Sequence, residues 1–262
     1  MDEDELRRIS KTTGFDLATL EKDYALTWLL SGIYSRDSKI RDLLIFKGGT
    51  AIRKVYFPEW RLSEDLDFTV LRRVAPKHVR EHFDLVFKTL KDKSGIQYSF
   101  DRFTASQYAI LADVQFLGPL RFRNRIAHDI SLREKLVEEP KRRKVKTEYA
   151  DVPEFTTLVY SLNEILIEKI RSIFQRGKTR DYYDLWRLIN EHEFDFRKIR
   201  SLLIEKCIAT KANFRPDLVF DETRLSEARK FWTIALARLA KDLPDFDKVV
   251  SDLREKLSFL AE

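Results

Sequence analysis

The hydrophobic periodicity of the chain changes near residue 150, and this limits what it can fold into. Before that point, short apolar runs of strand length alternate with helical patterns; beyond it the period is helical almost to the end. Residues 4–35 read as helical. A strand is expected over 43–46, running into the turn Lys47-Gly48-Gly49, then a helix over 50–57 stopped by Pro58 and a second strand over 66–71. An amphipathic helix over 76–90 precedes three β-like runs at 97–103, 108–116 and 120–132, the last two joined by a Gly118-Pro119 turn. Helices follow at 161–176, 179–191, 196–208, 222–241 and 245–260. The fold class expected is α/β (α+β): a mixed-sheet N-terminal domain over 1–152 and an all-helical C-terminal domain over 153–262.

With 262 residues there is enough chain for a sizeable core, and no apolar run reaches the length of a membrane span. The acidic, polar start MDEDELRRIS carries no signal-peptide pattern, so no membrane anchor is expected and a cytoplasmic setting fits. The single cysteine, Cys207, excludes an intramolecular disulfide and a cysteine zinc site, and its apolar helical surroundings make it a core residue. Net charge is +6, with basic residues clustered in RFRNR (121–125) and KRRKVK (141–146). Such runs are either solvated faces or patches for a polyphosphate or nucleic acid.

The chemistry concentrates between residues 47 and 68. Asp65 and Asp67 are two apart, so on a strand both carboxylates leave one face while Leu66 and Phe68 leave the other. Paired carboxylates repel unless a cation lies between them, and hard divalent metals suit them. Upstream, Lys47, Gly48, Gly49 and Thr50 lie between a strand and a helix, where glycines let backbone N–H groups approach an anion. Arg61, Ser63, Asp65 and Asp67 are spaced by two, which in an extended chain aligns a cation, a hydroxyl and two carboxylates. Each half is common in isolation; their order within about twenty residues suits a triphosphate–metal site.

Lys169 falls inside the apolar stripe of helix 161–176, formed by Leu162, Ile165, Leu166, Ile170 and Ile173. Glu164, Glu168, Arg171 and Gln175 fall on the opposite side. A lysine so placed either snorkels out of a core or serves a site. Thr179 reads as the N-cap of the next helix, whose first turn holds Asp181 and Asp184. The helix dipole favours acids there, and Arg180 stands four residues before Asp184.

These motifs resemble the nucleotidyltransferase superfamily typified by DNA polymerase β, and more closely its AbiEii/AbiGii toxin branch. The resemblance rests on Glu21-Lys22-Asp23-Tyr24, Phe46-Lys47-Gly48-Gly49-Thr50, Arg61-Leu62-Ser63-Glu64-Asp65-Leu66-Asp67 and Arg180-Asp181-Tyr182-Tyr183-Asp184-Leu185-Trp186, and covers roughly residues 18–190. It implies a third carboxylate on a neighbouring strand: Asp129 is favoured, Asp113 is the competitor, and His128 points away. It also implies that Asp65, Asp67 and Asp129 hold Mg2+ or Mn2+, and that Lys47, Gly48, Gly49, Thr50, Arg61, Ser63 and Asp181 bind a nucleoside triphosphate. Lys169 and Asp184 complete the catalytic set, so the helical domain completes the site. The implied function is transfer of a nucleotidyl group from an NTP to an acceptor, RNA and specifically tRNA. The chain would then be the toxin of a toxin–antitoxin or phage-defence system with a cognate antitoxin, its basic runs and helical domain receiving the RNA. A non-catalytic binding module on the same fold, or transfer to a protein or small molecule, remains as an alternative.

Overall fold

The structure, a computed structural model, describes residues 1–261. Its chain forms two compact units. The first comprises Met1–Glu134 and Pro140–Val159; the second comprises Lys135–Glu139 and the chain from Tyr160 onward.

The first unit begins with helices α1 (Glu3–Thr13) and α2 (Leu17–Ile33). The periodicity runs them together, but Gly14 adopts φ 78° and ends α1, and Asp16 starts α2 by accepting from the Thr19 N–H at 2.9 Å. Fourteen of the seventeen residues of α2 are buried, so it is a core helix that carries Glu21 and Asp23 inside with it. There follow β1 (Leu44–Lys47), α3 (Gly48–Ala51) continuing into a wide π turn over Ile52–Tyr56, and β2 (Asp65–Val70). The expected 50–57 helix thus starts two residues early and ends in an i→i+5 bond, Phe57 N–H to Ile52 carbonyl at 2.8 Å. Helix α4 (Pro76–Ser94) precedes β3 (Gln97–Ala105), β4 (Ala109–Leu117) and β5 (Arg123–Ser131). Two short strands, β6 (Lys141–Lys144) and β7 (Thr156–Val159), complete the sheet.

The seven strands lie in the order β3-β4-β5-β2-β1-β7-β6. β2 runs parallel to β5 and β1 parallel to β7; the other pairs are antiparallel. Two-residue alternation buries Leu66, Phe68, Ile110, Val114, Phe116, Ile126 and Ile130 on one face, together with α2 and α4. The helices approach so closely that a Cβ on Gly32 would stand 2.7 Å from Val86 Cγ1. On the other face of β4 and β5, Leu111, Ala127 and Asp129 are exposed. β6 holds most of the second basic run. It is an exposed edge strand whose charges discourage pairing with another chain. Arg142 pairs with Asp42, and Lys144 with Glu154 at 2.5 Å.

The second unit is helical: α5 (Leu162–Gln175), α6 (Thr179–Glu191), α7 (Phe196–Thr210), α8 (Glu222–Lys230), α9 (Trp232–Leu236) and α10 (Phe246–Lys256). Two side-chain expectations are overturned here. Glu164, assigned to the polar side of α5, is fully buried. Its carboxylate accepts from the Val137 and Glu138 N–H groups at 3.0 and 2.9 Å and from Lys206 Nζ at 2.8 Å, so 135–139 and α7 cover what the helix pattern leaves to solvent. Thr179 is the first residue of α6 and not its N-cap, and its hydroxyl donates to the Ala228 carbonyl at 3.2 Å. Among the described residues no helix is long and apolar enough to cross a membrane.

His128 lies on the buried face of β5, edge-on to Phe83 at 5.7 Å, with Nδ1 3.0 Å from the Ile126 carbonyl. Burial lowers its pKa to about 4, against the weaker raising effects of that hydrogen bond and of Asp113. Above pH 6.5 the ring is neutral in folded and unfolded chains alike. Between 6.5 and 4 only the unfolded chain takes up the proton, so stability falls by roughly 3 kcal/mol as pH drops through that window. In urea unfolding from pH 7 to 4.5, His128→Phe should lose less stability than the parent; equal losses in the two proteins would refute the assignment.

Candidate active site

The parallel pairing of β2 with β5 sets the carboxylates. Asp65 lies opposite Ala127 and Asp67 opposite Asp129, so Asp65, Asp67 and Asp129 share the open face of two adjacent strands. Asp113 sits one strand further out, opposite Ala127, and pairs with Arg102 Nε at 3.0 Å. A cavity of about 200 Å³ is lined by the three carboxylates and, on its far side, by Asp113, Arg102 and Leu111.

On the β1 side of the carboxylates, the glycine turn closes against β2. Lys47 lies opposite Asp67 in register, and its Nζ donates to Ser131 Oγ at 3.2 Å. Gly48 has φ 80°, and a Cβ there would collide with Asp67 Oδ2. Both facts require glycine. A Cβ on Gly49 would stand 2.8 Å from Arg61 Nη2 and 3.1 Å from Ser63 Oγ, so these two side chains lie against the Gly49 backbone. Thr50 is buried, and its hydroxyl donates to the Asp65 carbonyl at 2.5 Å, tying the turn to the start of β2. Lys47, Gly48, Gly49, Thr50, Arg61, Ser63, Asp65, Asp67 and Asp129 therefore come together in one unit. Residues 61–64 lead into β2 without belonging to it, and Arg61 and Ser63 are buried.

The Glu21-Lys22-Asp23 stretch of α2 holds the segments that carry these groups. Glu21 accepts from the Leu120 N–H at 2.6 Å, in the β4–β5 turn. Burial raises the Glu21 pKa, opposed by that hydrogen bond. Lys22 Nζ stands 3.7 Å from Glu64, just before β2. Asp23 accepts from Lys54 Nζ at 2.6 Å and Tyr149 OH at 2.8 Å, with Arg53 Nε at 4.0 Å. Burial pushes the Asp23 carboxyl up, but Lys54 and Arg53 outweigh it and hold the pKa below the usual carboxylate range. Arg53 also donates to the Pro58 carbonyl, and to that of Trp60 at 2.7 Å, stapling the loop that leads to Arg61. The wide π turn brings the successive residues Arg53 and Lys54 to one carboxylate. Nothing local in the sequence marks Arg53, Lys54 or Arg102; three consecutive charged residues, Glu21, Lys22 and Asp23, inside an otherwise apolar helix are the available signal.

In the second unit, Lys169 on α5 is 11% exposed at its side chain and donates to Asp184 at 2.6 Å and Asp181 at 3.3 Å. Arg176 Nε also reaches Asp181 at 3.0 Å. Lys169, Asp181 and Asp184 thus form one buried cluster across α5 and α6.

As donors, Asp65, Asp67 and Asp129 fit a hard divalent cation: carboxylates on one face of neighbouring strands. Among the described residues, no three Asp, Glu, His or Cys side chains already stand in a geometry that would hold a metal ion. The site fits such a cation in the kind and order of its donors.

MenT4, a nucleotidyltransferase toxin from Mycobacterium tuberculosis H37Rv, has a similar fold: TM-score 0.68 at 18% identity, over 94% of this chain and 85% of that one. Residues 29–255 match the family described as nucleotidyl transferase AbiEii toxin, Type IV TA system, and the chain belongs to that family of toxin nucleotidyltransferases. Comparison with curated proteins gives no match.

Gly48→Ala should abolish nucleotidyl transfer and lower stability by about 1–3 kcal/mol through φ strain and the Asp67 clash; activity retained within twofold would refute that fit. Asp23→Ala should cost about 3–5 kcal/mol in urea unfolding, because Lys54 is left buried without its carboxylate.

Proposed function

We propose that the chain transfers a nucleotidyl group from a nucleoside triphosphate to a hydroxyl of an RNA acceptor, tRNA, with Mg2+ or Mn2+. The observation that carries this reading is the close approach of Gly48 to Asp67, which sets a turn suited to phosphates directly beside the carboxylate row. Gly48 and Gly49 present backbone to the triphosphate, Lys47 and Arg61 balance its charge, and Ser63 offers it a hydroxyl. Thr50 acts by anchoring the turn to Asp65. Asp65, Asp67 and Asp129 would hold the cation, which when bound neutralises phosphate charge and orients the reacting oxygens. The acceptor oxygen bonds to the α-phosphorus, the α–β anhydride bond breaks, and pyrophosphate leaves with the electron pair; the hydroxyl proton passes to a carboxylate. The family likeness extends the proposal to the Lys169, Asp181 and Asp184 cluster of the second unit, with Lys169 a cation for phosphate and Asp184 a carboxylate that orients or deprotonates.

As the toxin of a type IV system the chain would act in the cytoplasm, in phage defence, opposed by a cognate antitoxin. The family's description as the toxin of a type IV system supports the antitoxin.

Each of the four radiolabelled triphosphates should be offered with total tRNA and Mg2+. Label is expected in RNA from at least one, and Asp67→Ala should abolish it while leaving the unfolding midpoint unchanged. No label from any of the four would overturn the tRNA reading.

A further inference from the structure

The carboxylates divide the open face of the sheet into two sides. The glycine turn, Arg61 and Ser63 lie on the β1 side. In-line transfer places the attacking and leaving oxygens on opposite sides of the phosphorus. With the leaving pyrophosphate on the β1 side, the acceptor must arrive over β5, β4 and β3. The cavity opens that way, running from the carboxylates to Leu111, which is 46% exposed.

That face carries a built gradient of charge. Along β5 the exposed residues are Arg123, Arg125, Ala127 and Asp129, every second position, so two arginines approach the carboxylates from one end. At about 3.3 Å per residue they stand roughly 20 and 13 Å from Asp129 along the strand. Arg102 and Arg125 pair with Asp113 and Asp101 at 3.0 and 3.1 Å, but these are surface pairs of little worth, which a polyanion readily replaces. The first basic run therefore faces the cavity's own side of the sheet. The second forms the opposite edge strand, beyond β2, β1 and β7.

We infer that the open face of β3, β4 and β5 seats the acceptor as an extended single-stranded RNA end. Its terminal nucleoside lies in the cavity against Leu111, and its upstream phosphates on Arg125 and Arg123. This rests on the reading of the acceptor as RNA.

The test uses the full chain with Arg123→Glu/Arg125→Glu, and Lys141→Glu/Arg143→Glu as the matched change on β6. The KM for RNA should rise about tenfold or more in the first. The slope of log affinity against log salt should flatten there by about 1.4, at about 0.7 for each of two phosphates no longer neutralised by an arginine. The KM for the triphosphate should stay as in the parent, and so should the KM for RNA in the β6 variant. An unchanged RNA KM and salt slope in the β5 variant overturns the seat, as does an equal rise in both variants. If the parent labels a protein or small molecule and no RNA, the reading of the acceptor falls, and the seat with it.

Discussion

The arrangement depends on one carboxylate that has no access to water. Asp23 is carried into the core by a helix buried on nearly every side, and a charge there survives only with charged partners. Its partners, Lys54 and Arg53, both come from the π turn that follows the glycine segment. The requirement to pair Asp23 therefore settles where that turn sits, and with it where Gly48 meets Asp67. Arg53 extends the constraint to the Pro58–Trp60 loop, Glu21 to the β4–β5 turn and Lys22 to Glu64. One helix thus reaches the π turn, the segment before β2 and the β4–β5 turn, by charge and hydrogen bonding rather than by apolar packing alone.

How much of this is legible in the sequence varies with the range of the interaction. The strands between residues 97 and 131 can be read to within a few positions because alternation is a local signal. The shared face of Asp65 and Asp67 follows from their spacing alone. The position of Asp129 beside Asp67 does not, since the register of two parallel strands distant in sequence has no local code. β6 escapes because KRRK has no apolar face at all. Glu164 misleads and Lys54 passes unnoticed for a common reason. A charged residue reads as solvated until the rest of the chain supplies a buried partner, Lys206 for one and Asp23 for the other. The Lys169 position is the reverse case: a cation already inside an apolar stripe announces that a partner exists, and Asp181 and Asp184 are what it meets.

The open sheet face shows how one architecture separates two demands. Its buried side is given to packing, with His128 and Phe83 in contact beneath the very strand that displays Asp129 above. A substitution at Ile126, His128 or Ile130 of β5 is therefore a question of stability.

The parallel pairing of β2 with β5 also has a consequence for how the protein comes into being. Asp67 and Asp129 are about sixty residues apart, and α4, β3 and β4 must be made between them. Loop-closure entropy makes such a non-local pairing slow to form relative to local hairpins. A chain emerging from the ribosome holds the glycine turn and the Asp-x-Asp strand long before the third carboxylate exists. For about the first half of its synthesis, then, the chain carries at most two of the three carboxylates that share this face, and the β2–β5 pairing cannot yet form.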